Sequence, residues 1–310
     1  MINMRQTFAN TVTDLAQQDQ SIVVMVADIS HGIFGEFRDK IKNRYYNIGI
    51  CEPAIVNMAA GLNKVGINPI VHTIAPFLIT RSFEQIKLDF GYQNLNINLV
   101  SVGGSFDYTK LGCSHHSYEE VAILKHFARA QIFLPGSNIE FETLFRQHYR
   151  DNKINYFRIT EYPHECNIEI DKVKKKYSYK VRDGKDLTIV ALGNQLKRAI
   201  KAADILNAEH KINSDIVYFN TIKPFEPEIF MQSINKTRKF ICIEELSKSG
   251  GLYEECLKES LKIEEKVQSE HISINDFIHD YGSYEQLSEI AGLSVKNIIQ
   301  QAKKLWIIKS

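Results

Sequence analysis

The sequence predicts an α/β protein of two domains with mainly parallel sheets, and three observations carry that reading. Apolar periodicity alternates between strand-like and helix-like runs along the chain, as in layered α/β folds. At 310 residues, 44% apolar and 24% charged, the chain is long enough to bury two ordinary cores. The alternation lapses once, where Glu161-Tyr162-Pro163-His164-Glu165 is followed by the basic run Lys172-Val173-Lys174-Lys175-Lys176. Residues 163–184 therefore read as a solvated linker between a domain over 1–162 and a domain over 185–310.

The elements follow in order. A helix over residues 5–17 precedes a strand over 21–26 that ends at Asp28. A helix runs from Glu52 to residue 65, followed by a strand over 69–74, a helix over 81–90 and a strand over 97–102. S-x-x-E/Q capping boxes at Ser117/Glu120, Ser137/Glu140 and Ser283/Gln286 predict three helix starts, because hydroxyl and carboxylate or amide satisfy free backbone N–H groups there. Past the linker, Leu187-Thr188-Ile189-Val190-Ala191-Leu192-Gly193 reads as a strand opening a helix over 195–207, with further strands over 215–219 and 240–244.

Charge and cysteines narrow the function classes. A formal net charge of +1 gives no field of one sign, so nucleic acid and anionic membrane surfaces are not expected partners. No apolar run reaches the roughly 18 to 20 residues of a membrane span, and Met1-Ile2-Asn3-Met4-Arg5-Gln6 has no leader-like apolar core, so the expected location is cytoplasmic. Five cysteines without CxxC spacing point to reduced thiols rather than a disulfide framework or a zinc site.

The most informative stretch is Asn47-Ile48-Gly49-Ile50-Cys51-Glu52-Pro53-Ala54-Ile55-Val56-Asn57-Met58-Ala59-Ala60-Gly61-Leu62, which sets one glutamate between a short apolar strand and an Ala/Gly-rich helix. A carboxylate in a first helical turn is also favoured by the macrodipole without any chemistry. The stretch resembles the pyrimidine-binding segment of thiamine-diphosphate enzymes of the transketolase family, which implies that Glu52 bonds the cofactor's aminopyrimidine and drives its activation. Four more segments fall in that family's order. Val26-Ala27-Asp28-Ile29-Ser30 looks like its first strand end, where an acid at the carboxyl edge of a parallel sheet faces a ligand. Pro76-Phe77-Leu78-Ile79-Thr80-Arg81-Ser82-Phe83-Glu84-Gln85-Ile86 resembles its Phe-x-x-Arg segment, which implies that Phe77 stacks on the pyrimidine, with Arg81 beside it. Here Phe77 stands four residues before Arg81, where three is common in the family; Phe83 reads as core. Leu111-Gly112-Cys113-Ser114-His115-His116 is similar to the family's Asp-Gly-x-Thr-His-Gln loop, which implies that His115 reaches the reacting carbons, with His116 next to the substrate. A metal site at the His pair lacks a third suitably spaced ligand. Phe157-Arg158-Ile159-Thr160 lies where the family holds a substrate phosphate, a task suited to the arginine fork, although a surface arginine reads the same way. Ile222-Lys223-Pro224-Phe225, Cys242-Ile243-Glu244-Glu245 and His279-Asp280-Tyr281-Gly282-Ser283 match the layout of the family's C-terminal domain.

The departures shape the expected function. Leu111 and Gly103 stand where transketolases carry an aspartate and a histidine on the sugar, so ordinary pentose phosphates are in doubt. The chain contains no Gly-Asp-Gly element, so the diphosphate and its Mg2+ are expected on another polypeptide. The resemblance thus implies the C-terminal subunit of a split transketolase-like enzyme. Such an enzyme moves a two-carbon ketol unit from a ketose or its phosphate to an aldehyde, and the subunit would form a homodimer and an α2β2 assembly with a diphosphate-binding partner. Alternatives are a deoxyxylulose-phosphate synthase-like enzyme, the β subunit of a 2-oxoacid dehydrogenase, which the Gly-Cys-Ser-His loop disfavours, and a non-catalytic scaffold.

Overall fold

The computed structural model describes residues 2–307. The first sheet contains β1 (Ile22–Val26), β2 (Tyr45–Asn47), β3 (Asn68–Ile74), β4 (Ile97–Val102), β5 (Ala130–Phe133) and β6 (Ile154–Arg158). The second contains β7 (Ser178–Arg182), β8 (Leu187–Leu192), β9 (Ser214–Phe219), β11 (Lys239–Ser247) and β12 (Gln268–Ile274), while β10 (Thr221–Lys223) crosses back to the first. The strand orders are β10-β5-β6-β4-β3-β1-β2 and β12-β11-β8-β9-β7, parallel except for β10 against β5 and β7 against β9.

Both faces of the first sheet are covered, which is why its strands read as continuous apolar runs. In β1 the period of two divides the side chains: Ile22, Val24 and Val26 pack with Phe8 and Phe141, from the helices Met4–Gln18 and Asn138–His148, while Val23 and Met25 pack with Ile55, Val56 and Ala59 of the helix Glu52–Lys64. In the second domain the helices Leu196–His210 and Val295–Ile307 pack together on one side of the sheet, with Glu228–Thr237 and Leu252–Ser260 on the other. Among the described residues no helix is long and apolar enough to cross a membrane.

Three sequence readings change. The stretch read as a linker holds the helix Ile170–Lys175 and all of β7. Its lysines are exposed, as read, but Val173 is buried beneath them and β7 forms an edge of the second sheet. The helix read over 81–90 starts earlier, as a π-helical turn Pro76–Thr80 closed by Arg81 N donating to Pro76 O at 3.0 Å, and it ends in a second π-helical run, Ile86–Tyr92. Of the three capping boxes only Ser283/Gln286 closes in both directions. At the other two, burial redirects the glutamate: Glu120 meets Arg158 at 2.9 Å, and Glu140 accepts bonds from the second domain.

Those buried acids join the domains. Tyr179 and Tyr218 of the second sheet donate to Glu140 at 2.5 and 3.1 Å, and Gly136 N donates at 3.0 Å. His164 of the connecting segment accepts from Cys166 N on Nδ1 at 2.9 Å, so its proton sits on Nε2 and points at Glu140, 3.2 Å away. Burial pushes the Glu140 carboxyl up, but these donors outweigh it and hold the group below the usual range.

Asp107, buried under the same junction, accepts from Thr160 Oγ1 and Glu161 N at 3.0 Å. Burial and then the nearby Glu245 charge push it up to about 8. His72 of β3, whose imidazole lies between Ser30 and Val100 O, is pushed down to about 4 by burial.

The two shifts act in opposite directions. Asp107 keeps its proton in the folded chain up to about pH 8, whereas the unfolded chain releases it near 3.8, so the stability it lends is lost as pH rises through the folded value. His72 stays neutral in the folded chain down to about 4 against 6.5 when unfolded, so its contribution is present above 6.5 and lost as pH falls through 4. Between roughly pH 6.5 and 8 the Asp107 contribution, unopposed by His72, falls by about 2 kcal/mol. Urea midpoints across that window read the slope, and in Asp107→Asn it flattens.

Candidate active site

The parallel strands of the first sheet deliver the candidate residues to one edge. Asp28 follows the carboxyl end of β1, Glu52 comes just after β2, Phe77 and Arg81 follow β3, and His115 lies on the loop after β4. This is the edge at which open α/β sheets bind ligands, since successive βα connections diverge there.

Glu52 opens its helix behind Cys51 and is 1% exposed. Its carboxylate meets two groups: Arg81 Nη1 donates to Oε2 at 2.8 Å, and Thr73 Oγ1 of β3 stands 3.5 Å from Oε1. The Arg81 guanidinium lies over the Phe77 ring, 4.1 Å from its centre. His115 meets the same ring edge-on at 5.1 Å, and its Nδ1 is 3.1 Å from Ser114 Oγ. Buried acceptor, aromatic face and imidazole thus converge, and together they can hold a flat group that carries N–H donors and present its far side to a proton-transferring histidine.

The other candidates lie differently. Asp28 is exposed in a left-handed conformation (φ 53°), held by Asn47 through Asp28 N to Oδ1 at 3.0 Å and Asn47 Nδ2 to Asp28 Oδ1 at 3.1 Å. The same Asn47 Oδ1 accepts from Gly49 N at 3.1 Å, which ties Asp28 to the segment leading into Glu52. His116 turns inward, with Nδ1 2.8 Å from the Tyr118 hydroxyl, and burial lowers its proton affinity. Arg158 stands apart: it is 8% exposed, and its guanidinium donates to Glu120 Oε1 at 2.9 Å and to Glu245 O at 3.3 Å.

Sequence reasoning missed three contributors. Thr73 precedes the Ile-Ala-Pro-Phe turn and could have been found from its place at the end of a strand. Tyr108, with its ring 6.4 Å from His115, gives no local signal. Tyr281 reaches over from the second domain and packs on Gly112, where an added Cβ would come within 2.7 Å of its hydroxyl. Gly112 also has φ 74° and ψ −173°, a region open essentially to glycine alone. Gly112→Ala therefore costs about 1–3 kcal/mol and dislodges either the histidine loop or Tyr281; chemical denaturation with turnover of the variant measures both.

Comparison with known proteins identifies both domains. The family described as "Transketolase, pyrimidine binding domain" matches residues 1–162, and "Transketolase, C-terminal domain" matches 176–298. A subunit of the apulose-4-phosphate transketolase of Phocaeicola vulgatus is 30% identical over 266 residues, 81% of each chain. A 6-deoxy-6-sulfo-D-fructose transketolase subunit of a Clostridium species is 27% identical over 307 residues, covering 97% of this chain and 94% of its own. A solved split-gene transketolase described as an inactive beta4 tetramer superposes with a TM-score of 0.88 at 26% identity over 100% of both chains. The chain belongs to the transketolase family, with the pyrimidine-binding and C-terminal domains arranged as in the family's split-type subunits.

Proposed function

We propose that this chain works in the cytoplasm as the C-terminal subunit of a split, thiamine-diphosphate-dependent transketolase, moving a two-carbon ketol unit from a ketose or ketose phosphate to an aldehyde. The observation that carries the reading is the buried Glu52 carboxylate, joined to the Phe77 ring through the Arg81 guanidinium that touches both, at the carboxyl edge of the sheet. A carboxylate shielded from water and an apolar ring face suit an aminopyrimidine, which needs an acceptor in its plane and a stacking surface across it. Bound thiamine diphosphate supplies the electron sink that carries the ketol unit.

In this reading Glu52 orients the ring and holds a proton at its nitrogen, and Phe77 excludes water from its face. Asp28 borders the cofactor segment. His115 moves a proton to or from substrate oxygen. We place the diphosphate and Mg2+ on a partner subunit, consistent with the lack of a Gly-Asp-Gly element, and the partnership in an α2β2 assembly built on a dimer of this chain. A two-subunit organisation is supported by the naming of the relatives as subunits. We also place the substrate's reacting end at His115 and not at Arg158, whose charge is spent on Glu120.

Reconstitution tests the proposal. The chain alone binds thiamine diphosphate weakly and shows no ketol transfer; mixed with a diphosphate-binding transketolase subunit, it gains both. Tight cofactor binding and turnover by the lone chain would overturn the split-subunit reading. In the reconstituted pair His115→Ala lowers kcat by roughly 10²-fold with little change in cofactor affinity by calorimetry. Lost cofactor binding with surviving turnover at saturation would remove His115 from the chemistry.

A further inference from the structure

Arg81 already takes both contacts that the Glu52 and Phe77 pair has to give. Its Nη1 donates to Glu52 Oε2 at 2.8 Å while its guanidinium carbon lies 4.1 Å from the centre of the Phe77 ring. A guanidinium is flat and delocalised, carries its N–H donors in its own plane, and stacks on aromatic faces. An aminopyrimidine shares the first three features and stacks in the same way. A heterocycle bonded to that carboxylate oxygen and stacked on that ring face fills the slab that the guanidinium fills, so the two exclude each other.

The surroundings allow such an exchange. The Arg81 side chain is 44% exposed, whereas the Glu52 side chain is 2% exposed. The arginine can therefore withdraw toward water, while the glutamate stays where its helix holds it. Thr73 Oγ1, at 3.5 Å, faces the other carboxylate oxygen and is not disturbed by the exchange. The Arg81 backbone is fixed by its bond to Pro76 O at 3.0 Å, so only the long stem has to move.

We propose that Arg81 is an internal stand-in for the cofactor's aminopyrimidine, a positioning residue that keeps Glu52 and Phe77 aligned and is displaced when the ring enters. The inference rests on the reading of Glu52 and Phe77 as the pyrimidine site. It follows that the apparent affinity for the ring is reduced by the fraction of molecules in which Arg81 is engaged. It also follows that a ring lacking an in-plane donor does not displace the arginine, which makes Arg81 a filter on what enters.

The test uses the full chain and the pyrimidine fragment 4-amino-5-hydroxymethyl-2-methylpyrimidine, titrated by calorimetry, with melting curves confirming that each variant is folded. Arg81→Ala binds the fragment about tenfold tighter than the native chain. Methylguanidinium chloride added to Arg81→Ala competes with the fragment and returns its affinity toward the native value. Arg81→Lys, which keeps the charge but not the flat face, falls between the two. Unchanged or weaker binding in Arg81→Ala, alongside weakened binding in Glu52→Gln, overturns the stand-in role and leaves the pyrimidine site standing. Fragment binding indifferent to both substitutions removes the pyrimidine site and the stand-in with it.

Discussion

Glu52→Gln removes at least ~10²-fold of the turnover of the reconstituted enzyme, roughly 2.7 kcal/mol of barrier, while the fold persists. The amide matches the carboxylate in volume, so the buried position remains filled, but it cannot carry the charge that answers a protonating ring nitrogen. It also faces Arg81 with a weaker acceptor. Because the Arg81 side chain is 44% exposed, the ion pair is partly screened, and its loss costs about 1 kcal/mol or less of stability. Turnover and melting temperature therefore separate: a large fall in the first with a small fall in the second. Near-native turnover in Glu52→Gln, measured with saturating cofactor, would withdraw Glu52 from the chemistry.

Glu140→Ala is expected to have the largest effect on stability, about 3–5 kcal/mol. The cost comes from what the carboxylate leaves behind: the Tyr179 and Tyr218 hydroxyls, His164 Nε2 and Gly136 N lose a shared acceptor. Glu140→Gln keeps one oxygen and loses less. Equilibrium unfolding followed by two probes, one for each domain, reads both the loss and its character. The Glu140→Ala transitions separate, since the acid ties the domains together, and a single unshifted transition would show that the tyrosines find other partners.

The sequence revealed what depends on local pattern. Glu52, Phe77 and His115 each stand in a short stretch after a strand, and parallel topology gathers such stretches at one edge, so reading the strands also brings the candidate residues to one edge. What stayed hidden depends on contacts distant in sequence. Tyr281 meets Gly112 across the domain junction, and no spacing within either segment marks the pair. The S-x-x-E pattern at Ser137 and Glu140 is the same for a helix cap as for a buried clamp, and tyrosines some 40 and 80 positions later determine which it becomes. The basic run hid β7 for a related reason: its exposed lysines carry the charge signal of a linker, while Val173 beneath them and Tyr179 just beyond do the packing. Arg158 is ambiguous in sequence because a strand-end arginine suits both an anion and a buried acid.

The short strand β10 comes from the second half of the chain yet pairs antiparallel with β5 of the first sheet, Thr221 opposite Phe133. During synthesis the first domain can therefore emerge from the ribosome with the outer rim of β5 uncovered, its N–H and C=O groups free to recruit any extended chain nearby. The segment that closes this rim lies about 90 positions downstream and arrives only after β7, β8 and β9 have been made. A fragment cut after the first domain keeps every candidate catalytic side chain and still exposes a sticky seam, so expressed by itself it should form soluble aggregates through strand addition, and supplying the second half in trans should rescue it.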